Sequence, residues 1–208
     1  MPRLFSSMHH SITLENFGVR LRPVRLDDAS FIVWLRNLDH ARGRVGDSAQ
    51  DVASQEKWLQ TYFERDGDYY FIVETSGSTP LGTYGLYKSN GGQWESGRWI
   101  IRPGVPAAIP SIVLGFHVAF DCLGISTLKA YTVSTNHRVL TLNGKLGFKT
   151  TGGMPTQRIA GKSVQLVEFE LQFSDWLKIR ESILPLARLA GKNVHEWEQS
   201  AAARAMES

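Results

Sequence analysis

WESGRWIIRPGVPAAIPSIVLGFHVAFDCLGISTLKAYTVSTNHRVLTLNGKLGF, Trp94 to Phe148, reads as strand, loop, helix, strand and helix. Trp94–Ile101 is an aromatic and apolar run broken by Ser96, Gly97 and Arg98. Arg102–Ala108 is a connector whose Pro and Gly residues disfavour regular structure. From Ile109 to Leu123 apolar residues fall at Ile109, Ile112, Val113, Phe116, Ala119, Phe120 and Leu123. That i, i+3, i+4, i+7 spacing predicts a helix with one buried face, stopped by Gly124. Thr127–Val133 is a short β-rich run, and Thr135-Asn136 is expected to cap a last helix carrying Val139, Leu142 and Leu146 on one face. A strand, a loop opening a helix and a second strand make a βαβ unit, hence a parallel pair. The amides of the loop and of the first helical turn then form an anion site.

Composition bounds the rest. The chain has 208 residues, 42% hydrophobic and 21% charged, enough to bury a core as one domain. A net charge of +3 suits a phosphorylated ligand, but the basic residues are scattered, so nucleic acid is not expected. Cys122 is the one cysteine, which excludes an internal disulfide and a Cys-His metal cluster; a buried structural thiol is expected there. No apolar run is long enough to span a bilayer, and Met1–Ser11 lacks the apolar centre of a signal peptide, so a cytoplasmic protein with no membrane partner is expected. His9-His10 reads as a solvated pair, and no metal site is expected.

Outward from the central unit, Val19–Arg25 alternates as an edge strand. Asp27-Asp28 is expected to cap a helix whose buried face is Phe31, Val33-Trp34 and Leu35. A Gly- and Arg-containing loop, Ala41–Ser48, leads to a second helix, Val52–Phe63. Strands follow at Tyr69–Glu74 and Leu81–Tyr87, and Asn90-Gly91-Gly92 makes a hairpin turn into Trp94. Phe148–Thr151 and Val164–Phe173 read as closing strands, joined through Ala160-Gly161-Lys162. A terminal helix starts at Ser174 and is expected to break near Pro185. The layout is residues 1–18 as an N-terminal segment, 19–190 as the domain and 191–208 as a frayed tail. The fold class is α/β (α+β): a mixed, mostly antiparallel twisted sheet with helices on both faces.

That order resembles the GNAT acyl-CoA N-acyltransferases. Asn136-His137-Arg138-Val139-Leu140 running to Lys145-Leu146-Gly147-Phe148 is similar to the family's N-x-x-(S/A)-x-x-L-x-x-K-x-G-F segment. Leu21-Arg22-Pro23-Val24, Asp27-Asp28-Ala29 and Trp34-Leu35-Arg36-Asn37 resemble the branch holding ribosomal-protein N-acetyltransferases and N-acetyltransferases of nucleotide-linked amino sugars. The resemblance implies acetyl-CoA as co-substrate, held by Arg102, Gly104, Val105, Ala107, Ala108, Ile109, Ser111 and Asn136. One departure stands out. The family's pyrophosphate loop reads (Q/R)-x-x-G-x-(G/A), and this chain places Pro103, Pro106 and Ala108 at the three named positions. Proline has no amide hydrogen to donate.

Acyl transfer from a thioester to an amine needs a neutral amine, a donor for the carbonyl's developing charge and a proton for the departing thiolate. The resemblance assigns the carbonyl donor to a backbone N–H near Ile100 or Ile101. It places Asn143 where the family often has a proton-donating tyrosine, and an amide cannot act as that acid. Glu95, on the strand beside the acceptor side, is either a base for the amine or a solvated strand residue. Asn136 caps a helix, contacts the donor's pantetheine arm, or does both. Arg36, Arg42 and Arg44 fit a nucleotide diphosphate or are simply solvated. Tyr84, Tyr87, Trp94 and Trp99 read mostly as core residues, with one or two of them, Trp94 among the candidates, available to stack on a base or sugar. Two functions therefore stay open: an acyl-CoA-dependent N-acyltransferase acting on a small amine such as an amino sugar nucleotide, or on a protein N-terminus; and a GNAT-fold protein that binds without catalysis. Assembly as a homodimer is left open.

Overall fold

Val19, Leu21 and Pro23 are buried while Arg20 and Arg22 are half-buried, the period-two pattern of a strand with one face on a core. The computed structural model describes residues 9–46, 49–89 and 91–206, with side chains as far as Ala201. Asn90 and Ser48 of the expected turn and loop lie outside the described residues, as do the first eight residues. In chain order the elements are β1 (Leu14–Asn16), β2 (Val19–Pro23), α1 (Ala29–Arg36), α2 (Val52–Tyr62), β3 (Asp68–Thr75), β4 (Pro80–Lys88), β5 (Trp94–Ile101), α3 (Ala108–Phe116), β6 (Thr127–Val133), α4 (His137–Lys145), β7 (Lys149–Thr150), β8 (Thr156–Ile159), β9 (Lys162–Gln172) and α5 (Phe173–Met206). The strands form one sheet in the order β1-β2-β3-β4-β5-β6-β9-β7, with β8 paired to β9. Among the described strands every pairing is antiparallel except β5 with β6.

Alternation along β3 separates two cores. Tyr70 and Ile72 join Ile32, Leu59 and Tyr62 beneath α1 and α2. Phe71 and Val73 join Val113, Phe116, Trp176 and Val194 beneath α3 and α5. The buried face of α1 is Ala29, Ile32 and Leu35, not the expected stripe through Trp34, which is 44% exposed. Asp28 does not cap α1 with its side chain. Its carboxylate instead accepts from the Arg25 amide and from both terminal nitrogens of Arg22 at 2.8 Å, a charge-assisted use that wins over a cap.

Five further expectations are corrected. β1 precedes the expected first strand, joined to β2 through Phe17 and Gly18, both at positive φ, as a type I′ hairpin turn requires. β8 pairs with β9 through Ala160-Gly161, also at positive φ, where only a joining stretch was expected. His10 is not solvated. It packs against Tyr69 and Phe71, and burial pushes its imidazole down to about 4. Cys122 is exposed, because the helix widens into a π-helical turn over His117–Cys122 and carries its end outward. The long helix does not break at Pro185 but runs on to Met206.

An internal proline costs a helix about 3 kcal/mol. Ile183, Ala187 and Val194 are buried on either side of it. Burying an isoleucine and a valine is worth about 1.5–3 kcal/mol each, which exceeds that cost. Residues 191–206 of the expected frayed tail are thus the second half of α5. Gly191 lets this half touch the β1–β2 turn: a Cβ there would lie 2.3 Å from the Phe17 carbonyl oxygen. Gly191→Ala would gain about 1 kcal/mol of helix propensity but overpack the contact by about 1–3 kcal/mol. We expect the melting temperature, followed by circular dichroism, to fall by a few degrees. An unchanged or raised value would contradict the close packing.

Candidate functional site

β5 and β6 run together for three residue pairs, Trp94–Leu128, Glu95–Lys129 and Ser96–Ala130, and then part. β6 stays paired on its other side with β9 as far as Val133. The cause lies in β5. Its register against β4 shifts between Thr83 and Gly85, so that Arg98 and Trp99 oppose Tyr84 alone. Arg98 takes φ +49°, a left-handed conformation rare for a residue with a side chain. It is held there by Asp68 at the start of β3, whose carboxylate accepts from the two terminal nitrogens at 2.5 and 2.9 Å. The guanidinium also lies over Tyr87 at 4.4 Å and over Tyr70 and Trp58 at 5.2 Å. Burial pushes the Tyr87 phenol up to about 12.

Where the strands part lies a cleft of about 990 Å³. One wall is Glu95–Trp99 of β5. The other is Tyr131–Val133 of β6 with Asn136, Val139 and Asn143, and one end carries Arg36 of α1 and Arg44 of the loop that follows. Asn143 is buried, and its amide donates to Thr132 Oγ1 at 3.1 Å, which fixes the side chain at the cleft wall. Asn136 stands at the N-cap position of α4, but its side chain makes no capping hydrogen bond; it borders the cleft. Glu95 is half-buried, and burial raises its carboxyl above the usual range, with Lys129 and Arg98 opposing and Glu168 adding to the rise. Lys129 is already paired with Glu168 at 2.5 Å.

Of the residues expected at the site, Asn143, Glu95, Asn136, Arg36 and Arg44 border this one cleft. Arg42 and Trp94 do not: Arg42 is exposed outside the wall, and Trp94 packs against the main core beside Tyr69. Ile101 is also outside the wall, with its carbonyl oxygen 3.1 Å from His40 Nε2. The Arg102 amide donates to the Leu81 carbonyl, and Ile101 stands opposite Gly82. Ladder alternation therefore turns the Ile101 N–H away from β4, toward the side that β6 has left.

The loop before α3 has Gly104 exposed at φ +76°, Val105 and Ala107 buried, and Ala108 and Ile109 opening the helix. Helix geometry leaves the Ala108 and Ile109 amides without an intrahelical acceptor. The Ser111 amide is spent on the Ala107 carbonyl, and its buried hydroxyl accepts from Trp99 Nε1 and donates to Ala108, so Ser111 offers a phosphate nothing. Arg102 lies between the rings of Trp34 and Trp197.

Sequence reading missed Tyr131, Lys129, Glu168 and the Arg98–Asp68 pair. Alternation along β6 held the signal for two of them, since Leu128 and Ala130 face the core and Lys129 and Tyr131 must face away. Nothing in the residue types announces the bulge at Arg98.

An open sheet whose two central parallel strands part over a cleft, with free amides at the head of the helix between them, is the architecture of an acyl-CoA-binding transferase. A family model described as an acetyltransferase (GNAT) domain matches residues 19–149. The chain belongs to the GNAT acetyltransferase family and is a GNAT-type N-acetyltransferase. Among solved structures it is similar to apo FdhC, described as a nucleotide-linked sugar GNAT, at 25% identity and TM-score 0.70, over 86% of this chain and 98% of that one. It shares the fold of a GCN5-related N-acetyltransferase from Brucella melitensis, at 18% identity and TM-score 0.71 over 86% of each chain. It also shares that of the spermidine/spermine N-acetyltransferase SpeG from Vibrio cholerae, at 20% identity and TM-score 0.66, over 78% of this chain and 98% of that one. No curated protein matched the sequence.

Removing one partner of a buried ion pair costs about 3–5 kcal/mol. Asp68→Ala is expected to lose that much stability in urea titration, while Asp66→Ala, at an exposed neighbour, changes by less than about 0.5 kcal/mol. Equal small effects would show that Arg98 does not depend on Asp68.

Proposed function

We propose that the protein acetylates a primary amine on a small anionic acceptor of the nucleotide-linked amino-sugar class, with acetyl-CoA as donor. The charge balance of the cleft carries this reading. Arg98 is neutralised by Asp68 and Glu168 by Lys129. Glu95 then remains on the β5 wall, and Arg44, with no ion-pair partner among the described residues, at the end of the cleft with Arg36. A polyamine would need the opposite balance. An acceptor with a phosphate at one end and an amine at the other suits it, because a guanidinium binds phosphate bidentately and a carboxylate accepts from an ammonium.

In this mechanism Glu95 takes a proton from the acceptor's ammonium. The neutral amine attacks the thioester carbonyl carbon, a C–N bond forms, the C–S bond breaks and the thiolate takes up a proton. The acyl donor's phosphates meet the amides of Gly104, Ala108 and Ile109, its arm runs beside Asn136, and the Ile101 N–H serves the carbonyl oxygen. Asn143 hydrogen-bonds the sulfur or a water there. Tyr131, a phenol in the cleft wall, supplies an acid that Asn143 cannot.

Glu95 must be ionised to accept a proton. Its carboxyl is raised by burial, so kcat/KM climbs as pH rises through a value above the ordinary carboxylate range. Glu95→Gln should abolish that acidic limb and leave only the acceptor amine's own ionisation. In a thiol-release assay, nucleotide-linked amino sugars should turn over, and spermidine and N-terminal peptides should not. Arg44→Ala should raise KM for the nucleotide-linked acceptor about tenfold, the loss of one charge-assisted contact. Faster turnover of spermidine or of a peptide, or an unmoved KM in Arg44→Ala, would overturn the acceptor assignment.

A further inference from the structure

Arg102 leaves β5 just before the loop that opens α3. Its guanidinium carbon lies 5.5 Å from the ring of Trp34 on α1 and 5.3 Å from the ring of Trp197 on α5. These two helices cover opposite faces of the sheet. A guanidinium stacked on its faces keeps its N–H edge for hydrogen bonding. Among the described residues Arg102 forms no ion pair, unlike Arg20, Arg22 and Arg98, which all meet carboxylates. Its charge is held in place without being neutralised.

The second half of α5 is built to arrive there. Gly191 meets the β1–β2 turn with no room for a side chain, and Val194 is fully buried. One residue past Trp197, the Glu198 carboxylate accepts from the hydroxyls of Thr75 and Thr79 at the β3–β4 turn. These contacts fix the rotation of the helix about its axis and set Trp197 on Arg102. The α5 residues in these contacts, Gly191, Val194, Trp197 and Glu198, lie outside the residues the family model matches.

We propose that Trp197 and Trp34 are positioning residues that hold Arg102 as a ligand for a phosphate of the acyl-CoA, so that the last turns of α5 belong to the donor side of the site. This rests on the acyl-CoA reading above. It gives a physical answer to the proline loop: a fixed guanidinium replaces amide contacts that Pro106 cannot make.

The test compares three donors on the full chain: acetyl-CoA, its 3′-dephospho form, and acetyl-pantetheine, which carries no phosphate. Trp197→Ala should raise the acetyl-CoA Kd about three- to tenfold and flatten its salt dependence, with kcat at saturation kept. Acetyl-pantetheine should show no matching loss. Trp197→Phe, which restores a ring face, should recover most of the affinity. Arg102→Ala should weaken acetyl-CoA at least as much, and adding Trp197→Ala to it should change little further. A loss on dephospho-CoA equal to that on acetyl-CoA places the contact at the pyrophosphate, and a loss absent there places it at the 3′-phosphate; both support the proposal. Should Trp197→Ala misfold by circular dichroism, Trp34→Ala, at a half-exposed ring, carries the same expectation. Equal losses on acetyl-pantetheine, or unchanged acetyl-CoA binding in Arg102→Ala, overturn the proposal while the acyl-CoA reading stands. A parent protein that binds no acetyl-CoA overturns both.

Discussion

The cleft depends on the buried pairing of Arg98 with Asp68. A residue with a side chain at φ +49° costs of order 1–3 kcal/mol and persists only where its surroundings over-determine it. Here a bidentate carboxylate and three aromatic rings do so. The bulge this fixes begins two residues after the last pairing of β5 with β6, and beyond that point the sheet opens. Removing the bulge in thought lets β5 continue beside β6 through Val133, and the cavity closes. The ion pair is thus a constraint on shape more than a source of stability, as buried pairs often are.

The opening is useful because of what surrounds it. α3 follows β5 directly, so its unpaired amides stand at the end of the strand that lines the cleft. On the α1–α2 side, Lys129 and Asp68 cancel Glu168 and Arg98, which leaves one ionisable carboxylate facing a basic loop. α5 closes the opposite face as a continuous helix. Its packing overrides a proline and places an indole beside the residue that precedes the α3 loop.

Much of this was legible in the residues. The β-rich runs Trp94–Ile101 and Thr127–Val133 are strands with those same bounds, because apolar clusters flanked by Gly, Pro and polar breaks define both. The helix between them is also present, though it starts at Ala108 and widens after Phe116. β8 was not legible: Thr156, Gln157 and Arg158 are exposed, so no apolar alternation marks them. The continuity of α5 was hidden because local chemistry at Pro185 points one way and the tertiary burial of Ile183 and Val194 points the other. At the site, Glu95 of β5, Asn136 and Asn143 at the start of and within α4, Arg36 at the end of α1 and Arg44 of the loop after it reached the cleft. Trp94 did not, since one step of strand alternation turns it to the other face of the sheet from Glu95. Ser111 shows the same limit, for a buried hydroxyl bonded to Trp99 looks identical in sequence to a free one.

The central claim is that the acyl donor enters where β5 parts from β6 and rests its phosphates on the loop before α3. Hydrogen–deuterium exchange with and without saturating acetyl-CoA tests it most directly. The account predicts that protection appears in two separated segments, 97–109 and 136–143, with little change in β1–β3. Protection confined to other elements, or none at saturation, would contradict it.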